Sequence, residues 1–142
     1  MPLYANIDGI QKAQENNLRR IAVMQPGGKA EEAVRDAVVA LHRYAVSITH
    51  VARYDRWGVQ GKAIGGSLRA SHRIELDDHL GGMIYIDPSS VNPLGQRPSK
   101  YGLYEHARGG EHAFYDRTVS EYGPTVSSRT RTRITQAVLY GK

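Results

Sequence analysis

The chain has 142 residues, which is the size of one domain and long enough to bury a single hydrophobic core. It contains no cysteine, and this excludes disulfide bonds, thiolate metal sites and a thiol nucleophile. No apolar run approaches the roughly 20 residues of a membrane-spanning helix, and a net charge of +5 permits contact with polyanions or with acidic protein surfaces.

Residues 7–23 form the first predicted element. Their apolar residues keep a weak helical spacing that the polar residues 14–17 interrupt. This pattern predicts a short helix or a pair of helices.

Residues 29–53 are the only long stretch in which one helical period persists throughout. The apolar face comprises Ala30, Ala33, Val34, Ala37, Val38, Leu41, Tyr44, Ala45, Ile48, Val51 and Ala52. We predict that this helix is the core of the domain. Its wide apolar arc packs on two sides within the domain or leaves one side for a second copy.

Two strands and two long loops are predicted in the middle of the chain. Residues 57–71 are rich in glycine and predict a long extended connection, which favours a functional or assembly-dependent role. Residues 72–77 alternate apolar and polar side chains, residues 78–82 suit a turn, and residues 83–87 suit a second strand. Such a hairpin needs the long helix or further strands to cover it. Residues 88–100, with three prolines, predict the second long loop.

The last third of the chain is predicted to be mainly helical. One or two helical turns fit residues 101–107, a short helix from Ala113 ends at Gly123, and a final helix spans residues 124–140. A strand is the alternative for residues 129–133, because arginine and threonine alternate there. The predicted fold class is α+β, one domain of residues 1–142. A long amphipathic helix packs on a small antiparallel β-sheet, with extended Gly/Pro-rich loops and a C-terminal helix.

Catalytic and metal-binding motifs are missing from the sequence. The six histidines include no HExxH pattern, and no GxSxG, GxGxxG or phosphate-binding GxxxxGK[ST] segment is present. The acidic residues show no pair that converges across a cleft. We therefore expect no enzyme activity, no cofactor and no metal site. Arg129, Arg131 and Arg133 are interpreted as a solvated helix face, with phosphate contact as the alternative.

The order of several weak motifs resembles a known family. After the long helix come Gly66-Ser67-Leu68-Arg69-Ala70-Ser71, the strand of residues 83–87, Tyr101-Gly102-Leu103-Tyr104-Glu105 with Gly109, and an aromatic-led segment from Phe114. This order, over residues 29–122, resembles the neck or tail-completion (head–tail joining) proteins of long-tailed bacteriophages. The resemblance implies a virion structural protein that forms an oligomeric ring at the head–tail junction, and it implies no catalysis.

The resemblance also implies partners and contacts. The ring would lie in the virion neck or tail, assembled in the host cytoplasm. It would meet an adjacent head-closure or connector protein and a tail-terminator or tail-tube protein, and packaged DNA would pass nearby without specific binding. The nine tyrosines suit half-buried contacts between subunits. The expected assembly contacts are Leu68, Arg69, Tyr101, Tyr104, Glu105, Arg129, Arg131 and Arg133. A basic nucleic-acid-binding domain is the alternative function, and a small hydrolase is a third.

Overall fold

The computed structural model describes residues 7–51, 66–77 and 80–141. The helices are α1 (Ile7–Met24), α2 (Lys29–Ile48), α3 (Ser67–Ala70), α4 (Pro98–Ala107), α5 (Phe114–Arg117) and α6 (Gly123–Tyr140), and the strands are β1 (His72–Leu76) and β2 (Gly82–Ile86). A 3₁₀ turn (Gly110–His112) precedes α5, and a π-helical turn (Thr118–Tyr122) joins α5 to α6. The predicted α+β class is confirmed, in a chain that is mostly helical.

Helix α2 is the central element, as its apolar period predicted. It packs against α6, α1 and both strands. The side chains that it buries fully are small or β-branched: Ala30, Ala33, Val38 and Ala45. The predicted end at residue 53 is wrong within the described residues, because Thr49 is already extended, with φ −67° and ψ 126°. The Thr49 hydroxyl and the Thr49 N–H both donate to the Ala45 carbonyl oxygen, at 2.6 and 3.1 Å, and close the last turn of α2.

Helix α1 is a single helix, which decides between the two predicted possibilities. It joins α2 through residues 25–28, where Gly27 has a φ of +80°. A Cβ atom at Gly28 would lie 2.5 Å from the Ala22 carbonyl oxygen, so only glycine allows this close approach. Val23, Ala30 and Ala137 then meet in one apolar cluster between α1, α2 and α6.

Strands β1 and β2 form the predicted antiparallel hairpin. Their register runs from His72 opposite Ile86 to Leu76 opposite Gly82. Because a two-stranded sheet is marginal alone, its stability depends on the helix that covers it. Both strands contact α2, and α4 also contacts β2.

The two predicted loops are shorter than expected where the structure describes them. Residues 57–65 lie outside the described residues, and Ser67–Ala70 is helical rather than extended. The second loop ends at Pro98, which begins α4 in the position where a missing N–H costs nothing. Before it, the Asn92 side-chain oxygen accepts backbone N–H bonds from Leu94 at 3.0 Å and Gln96 at 2.9 Å. These bonds order a segment that lacks any periodic pattern.

The C-terminal helix is confirmed, and the strand alternative is wrong. The predicted helix end at Gly123 is also wrong, because α5, the π-helical turn and α6 run on continuously. The Gly123 N–H bonds to the Thr118 carbonyl oxygen, five residues back. This wider turn places Pro124, which has no N–H, at the start of α6 rather than inside an α-helical ladder. None of the helices that the structure describes is long and apolar enough to cross a lipid bilayer.

Candidate functional site

The Leu68 and Arg69 side chains are used inside the chain. Leu68 is buried, and a Cβ atom at Gly102 would lie 2.6 Å from its Cδ1 atom, so α3 and α4 pack closely. Arg69 donates to the Thr49 carbonyl oxygen through Nε at 3.1 Å and through a terminal nitrogen at 2.7 Å. It thus satisfies a carbonyl group at the end of α2. Both side chains therefore have packing or hydrogen-bond partners within the chain itself.

Tyr101 and Tyr104 line an open depression of about 390 Å³. Its other lining residues are Gly95, Gln96, Arg97 and Lys100. Burial raises the pKa of Tyr101, while its hydrogen bonds with Asn92 and Ser67 oppose that rise. Tyr104, in contrast, is 75% exposed. The depression therefore offers one fixed aromatic side chain, one free aromatic side chain and two cations to a ligand or partner.

Glu105 lies in a polar cluster with His50 and His112. Its Oε1 atom lies 2.5 Å from His112 Nδ1, and its Oε2 atom accepts from Arg108 at 3.0 Å. Partial burial alone would raise the pKa of Glu105, but the His112 and Arg108 hydrogen bonds lower it below its ordinary value. The His50 and His112 ring centroids are 4.5 Å apart. One ligand atom from each of the three residues lies within 4.8 Å of the other two.

The three arginines of α6 have different surroundings. Arg133 pairs with Asp36 at 2.6 Å and with Glu32 at 3.3 Å, both on α2. Arg129 donates to the Tyr122 hydroxyl at 3.2 Å. Arg131 is exposed and has no polar partner among the residues that the structure describes. The acidic partners of Arg133 therefore lie in its own chain, whereas Arg129 and Arg131 have no carboxylate partner among the residues that the structure describes.

A buried polar network that the sequence did not reveal ties the end of α2 to the rest of the domain. His72 is 3% exposed, with Nε2 2.8 Å from the Thr49 hydroxyl and Nδ1 2.8 Å from the Tyr115 hydroxyl. Since the Thr49 hydroxyl already donates to Ala45, it accepts from His72 Nε2–H. The Tyr115 hydroxyl then donates to Nδ1, and this pattern assigns a neutral imidazole.

The pKa values of this network agree with neutral groups. Burial, followed by the positive charges of His42 and Arg73, lowers the pKa of His72 to about 4. Burial raises the pKa of Tyr115 to about 12. Phe114 packs edge-on against the rings of His72, Tyr115 and His106, at centroid distances of 5.3, 4.7 and 5.0 Å. All of these groups are held inside the fold, which gives them a structural role.

Apolar side chains on the outside of α1 form a further surface. Ile10, Leu18 and Ile21 are each more than half exposed. Their spacing puts them on one side of the helix, and we call these three residues the α1 face. Leu103 on α4 and Tyr140 on α6 are also exposed. Apolar surface of this kind marks a contact with another molecule when it is contiguous.

Comparisons with protein-family models, with curated proteins and with solved structures found no match to this chain. The function is therefore argued from the residues and geometry above. Sequence reasoning named Glu105 but missed His50 and His112 as its neighbours. The available signal was the seven-residue spacing of Glu105 and His112 across a glycine pair, which allows the chain to fold back.

Proposed function

We propose that this chain is a structural protein of a bacteriophage virion, assembled as an oligomeric ring at the head–tail junction, and that it has no catalytic role. The order of motifs over residues 29–122 supports the location. The observation that carries the ring is the α1 face. Ile10, Leu18 and Ile21 lie exposed on a helix whose Val23 is buried against α2 and α6.

A second copy is the occupant that we propose for the α1 face. Burial of exposed aliphatic side chains contributes about 25 cal/mol for each Å² removed from water. When the α1 face of one copy meets a different surface of the next, the contact is head-to-tail, and such contacts close into rings when the rotation allows it. Exposed Leu103 and Tyr104 on α4 supply apolar side chains for that other surface. Ring formation would thus cover apolar groups that the monomer leaves in water.

The contacts with neighbouring virion proteins are proposed at charged and aromatic positions. The depression with Arg97, Lys100 and Tyr104 suits an acidic, partly apolar surface of a head-closure, connector or tail protein. Arg129 and Arg131 present further positive charge, and arginine forms directional bonds with carboxylates and carbonyl oxygens. Packaged DNA would pass through the ring without specific binding.

The alternative function, nucleic-acid binding, is favoured by the same depression. Arginine or lysine beside exposed tyrosine can hold a phosphate while a base stacks on the ring. The pairing of Arg133 with Asp36 and Glu32 argues against it, because those carboxylates offset the positive charge of α6.

The ring is tested by changing Leu18 and Ile21 together to serine and measuring mass in solution by sedimentation. We expect the unchanged protein to assemble above its 15.7 kDa chain mass and the double variant to remain at that mass with unchanged helical circular dichroism. Val119→Ser, at another exposed apolar position, is the matched control and should assemble normally.

Two results would contradict the ring. One is an unchanged protein that stays at 15.7 kDa at every concentration tested. The other is salt-sensitive binding to duplex DNA that Arg97→Ser and Lys100→Ser abolish, which would favour the nucleic-acid alternative.

A further inference from the structure

We propose that His50, Glu105 and His112 form a binding site for a divalent transition-metal ion, with Zn²⁺ as the preferred ion. One ligand atom from each side chain lies within 4.8 Å of the other two. The three residues come from three different places: the segment after α2, the last turns of α4 and the 3₁₀ turn. Their convergence is a property of the fold and not of any local sequence motif.

The donor set suits Zn²⁺. Two imidazole nitrogens and one carboxylate oxygen form a common three-ligand set for this ion, and water or a further group occupies the fourth position. Bonds of about 2.0–2.1 Å in a tetrahedral site place ligand atoms roughly 3.3 Å apart. Glu105 Oε1 and His112 Nδ1, now 2.5 Å apart, would separate slightly, and His50 would move inwards. His50 is exposed, so rotation of its side chain meets little resistance.

The neighbouring groups support the same site. Arg108 holds Glu105 Oε2 at 3.0 Å, which leaves Oε1 directed at His112. On the other side of the His112 ring, Nε2 lies 3.8 Å from Glu111 Oε1. At that distance Glu111 makes no hydrogen bond to the ring, and it contributes only a nearby negative charge that favours a cation.

A bound ion would clamp the end of α2 to α4 and the 3₁₀ turn. His50 directly follows Thr49, which the His72 and Arg69 bonds hold on the inner side of the chain. The ion would therefore fix the outer side of the same chain segment. Because binding to the folded state alone stabilises that state, Zn²⁺ should raise the unfolding temperature. This inference does not depend on the ring proposed above.

The test uses the full chain, freed of metal with a chelator and titrated with zinc chloride in equilibrium dialysis. We expect one Zn²⁺ per chain and a higher unfolding temperature with the ion. His50→Ala, Glu105→Gln and His112→Ala should each weaken binding more than about 100-fold, beyond the loss typical of an outer-shell change. Glu75→Gln, an exposed carboxylate on β1, is the matched control and should bind as the unchanged protein does.

A second measurement keeps the test valid if a variant fails to fold. In the unchanged protein, nuclear magnetic resonance should show zinc-dependent shifts at the His50 and His112 rings but not at the buried His72 ring. The proposal is overturned if the unchanged chain binds no Zn²⁺ stoichiometrically, if His50→Ala binds as tightly as the unchanged chain, or if the shifts occur at other histidines.

Discussion

The interior around Phe114 and the outer surface of α1 contrast in where they place polar and apolar groups. Around Phe114, the polar side chains of His72 and Thr49 are buried and fully hydrogen-bonded. On α1, the aliphatic side chains of Leu18 and Ile21 are exposed. The chain thus buries imidazole and hydroxyl groups while it leaves larger aliphatic groups in water.

This contrast separates side chains that the folded monomer requires for its stability from side chains that contribute little to it. A buried polar group is costly without partners, so the His72 network fixes one arrangement of α2, β1 and α5. An exposed aliphatic side chain imposes no such requirement on the monomer. The interior therefore determines the fold, and the monomer leaves the α1 face exposed, where we propose that a second copy binds.

Replacement of Phe114 by alanine should have the largest effect on the free energy of unfolding. This ring is 1% exposed, and its loss removes packing and leaves a cavity, which we expect to cost about 3–5 kcal/mol. Leu18→Ala, at 66% exposure, should change the same free energy by less than about 0.5 kcal/mol. Urea denaturation at a concentration where the protein is monomeric measures both. Comparable losses at the two positions would remove the distinction between the interior and the proposed assembly surface.

The pH dependence of stability should reveal His72. Its folded pKa of about 4 lies below the ordinary value of 6.5, so the unfolded chain binds more protons between these pH values. The contribution of His72 to the free energy of unfolding should accordingly be fully present above pH 6.5. It should be lost as pH falls towards 4, a decrease of about 2–3 kcal/mol. Denaturation at several pH values, compared with His72→Gln, isolates the contribution. A variant that keeps the full decline would assign it to other groups.

Replacement of Arg69 should lower the free energy of unfolding by a smaller amount. Its guanidinium bonds to the Thr49 carbonyl oxygen belong to the interior, and Arg69→Met should cost about 1–2 kcal/mol in unfolding free energy. Arg131→Met is the matched control, because Arg131 has no polar partner in the described part of the chain, and it should cost less than about 0.5 kcal/mol. Thermal unfolding of the two variants ranks them. If Arg131→Met proved the more harmful, the assignment of Arg69 to the interior would be wrong.

The elements predictable from sequence were those whose pattern is local and long. The period of residues 29–53 identified α2 and its buried alanines, because every helical turn repeats the same spacing. The alternation after Ser71 identified β1, and the turn-forming residue types that follow Asp77 in the sequence indicated a hairpin, which the pairing of β1 with β2 confirms. The single helix α1 was harder, since its polar residues interrupt the apolar spacing without interrupting the backbone.

The remaining features depend on partners that are distant in sequence. His72 is buried because Tyr115, 43 residues later, supplies its second hydrogen bond. Arg69 stands in a glycine-rich segment that resembles an exposed loop, yet its acceptor is Thr49, 20 residues earlier. Glu105 was expected to meet another molecule, and its nearest partner is His112 of the same chain. A local sequence pattern does not predict contacts between residues that are so far apart in the chain.

The π-helical turn also sets the rotational phase of the last helix. Thr118 and Val126 are both buried, yet they are eight residues apart, and an unbroken α-helix would place them about 80° apart around its axis. The i to i+5 bonding of the turn takes up one additional residue and removes most of that offset. The buried side chains before and after the π-helical turn thus lie on the same side of the helical axis. A single inserted residue is what allows α5 and α6 to share the same side of α2.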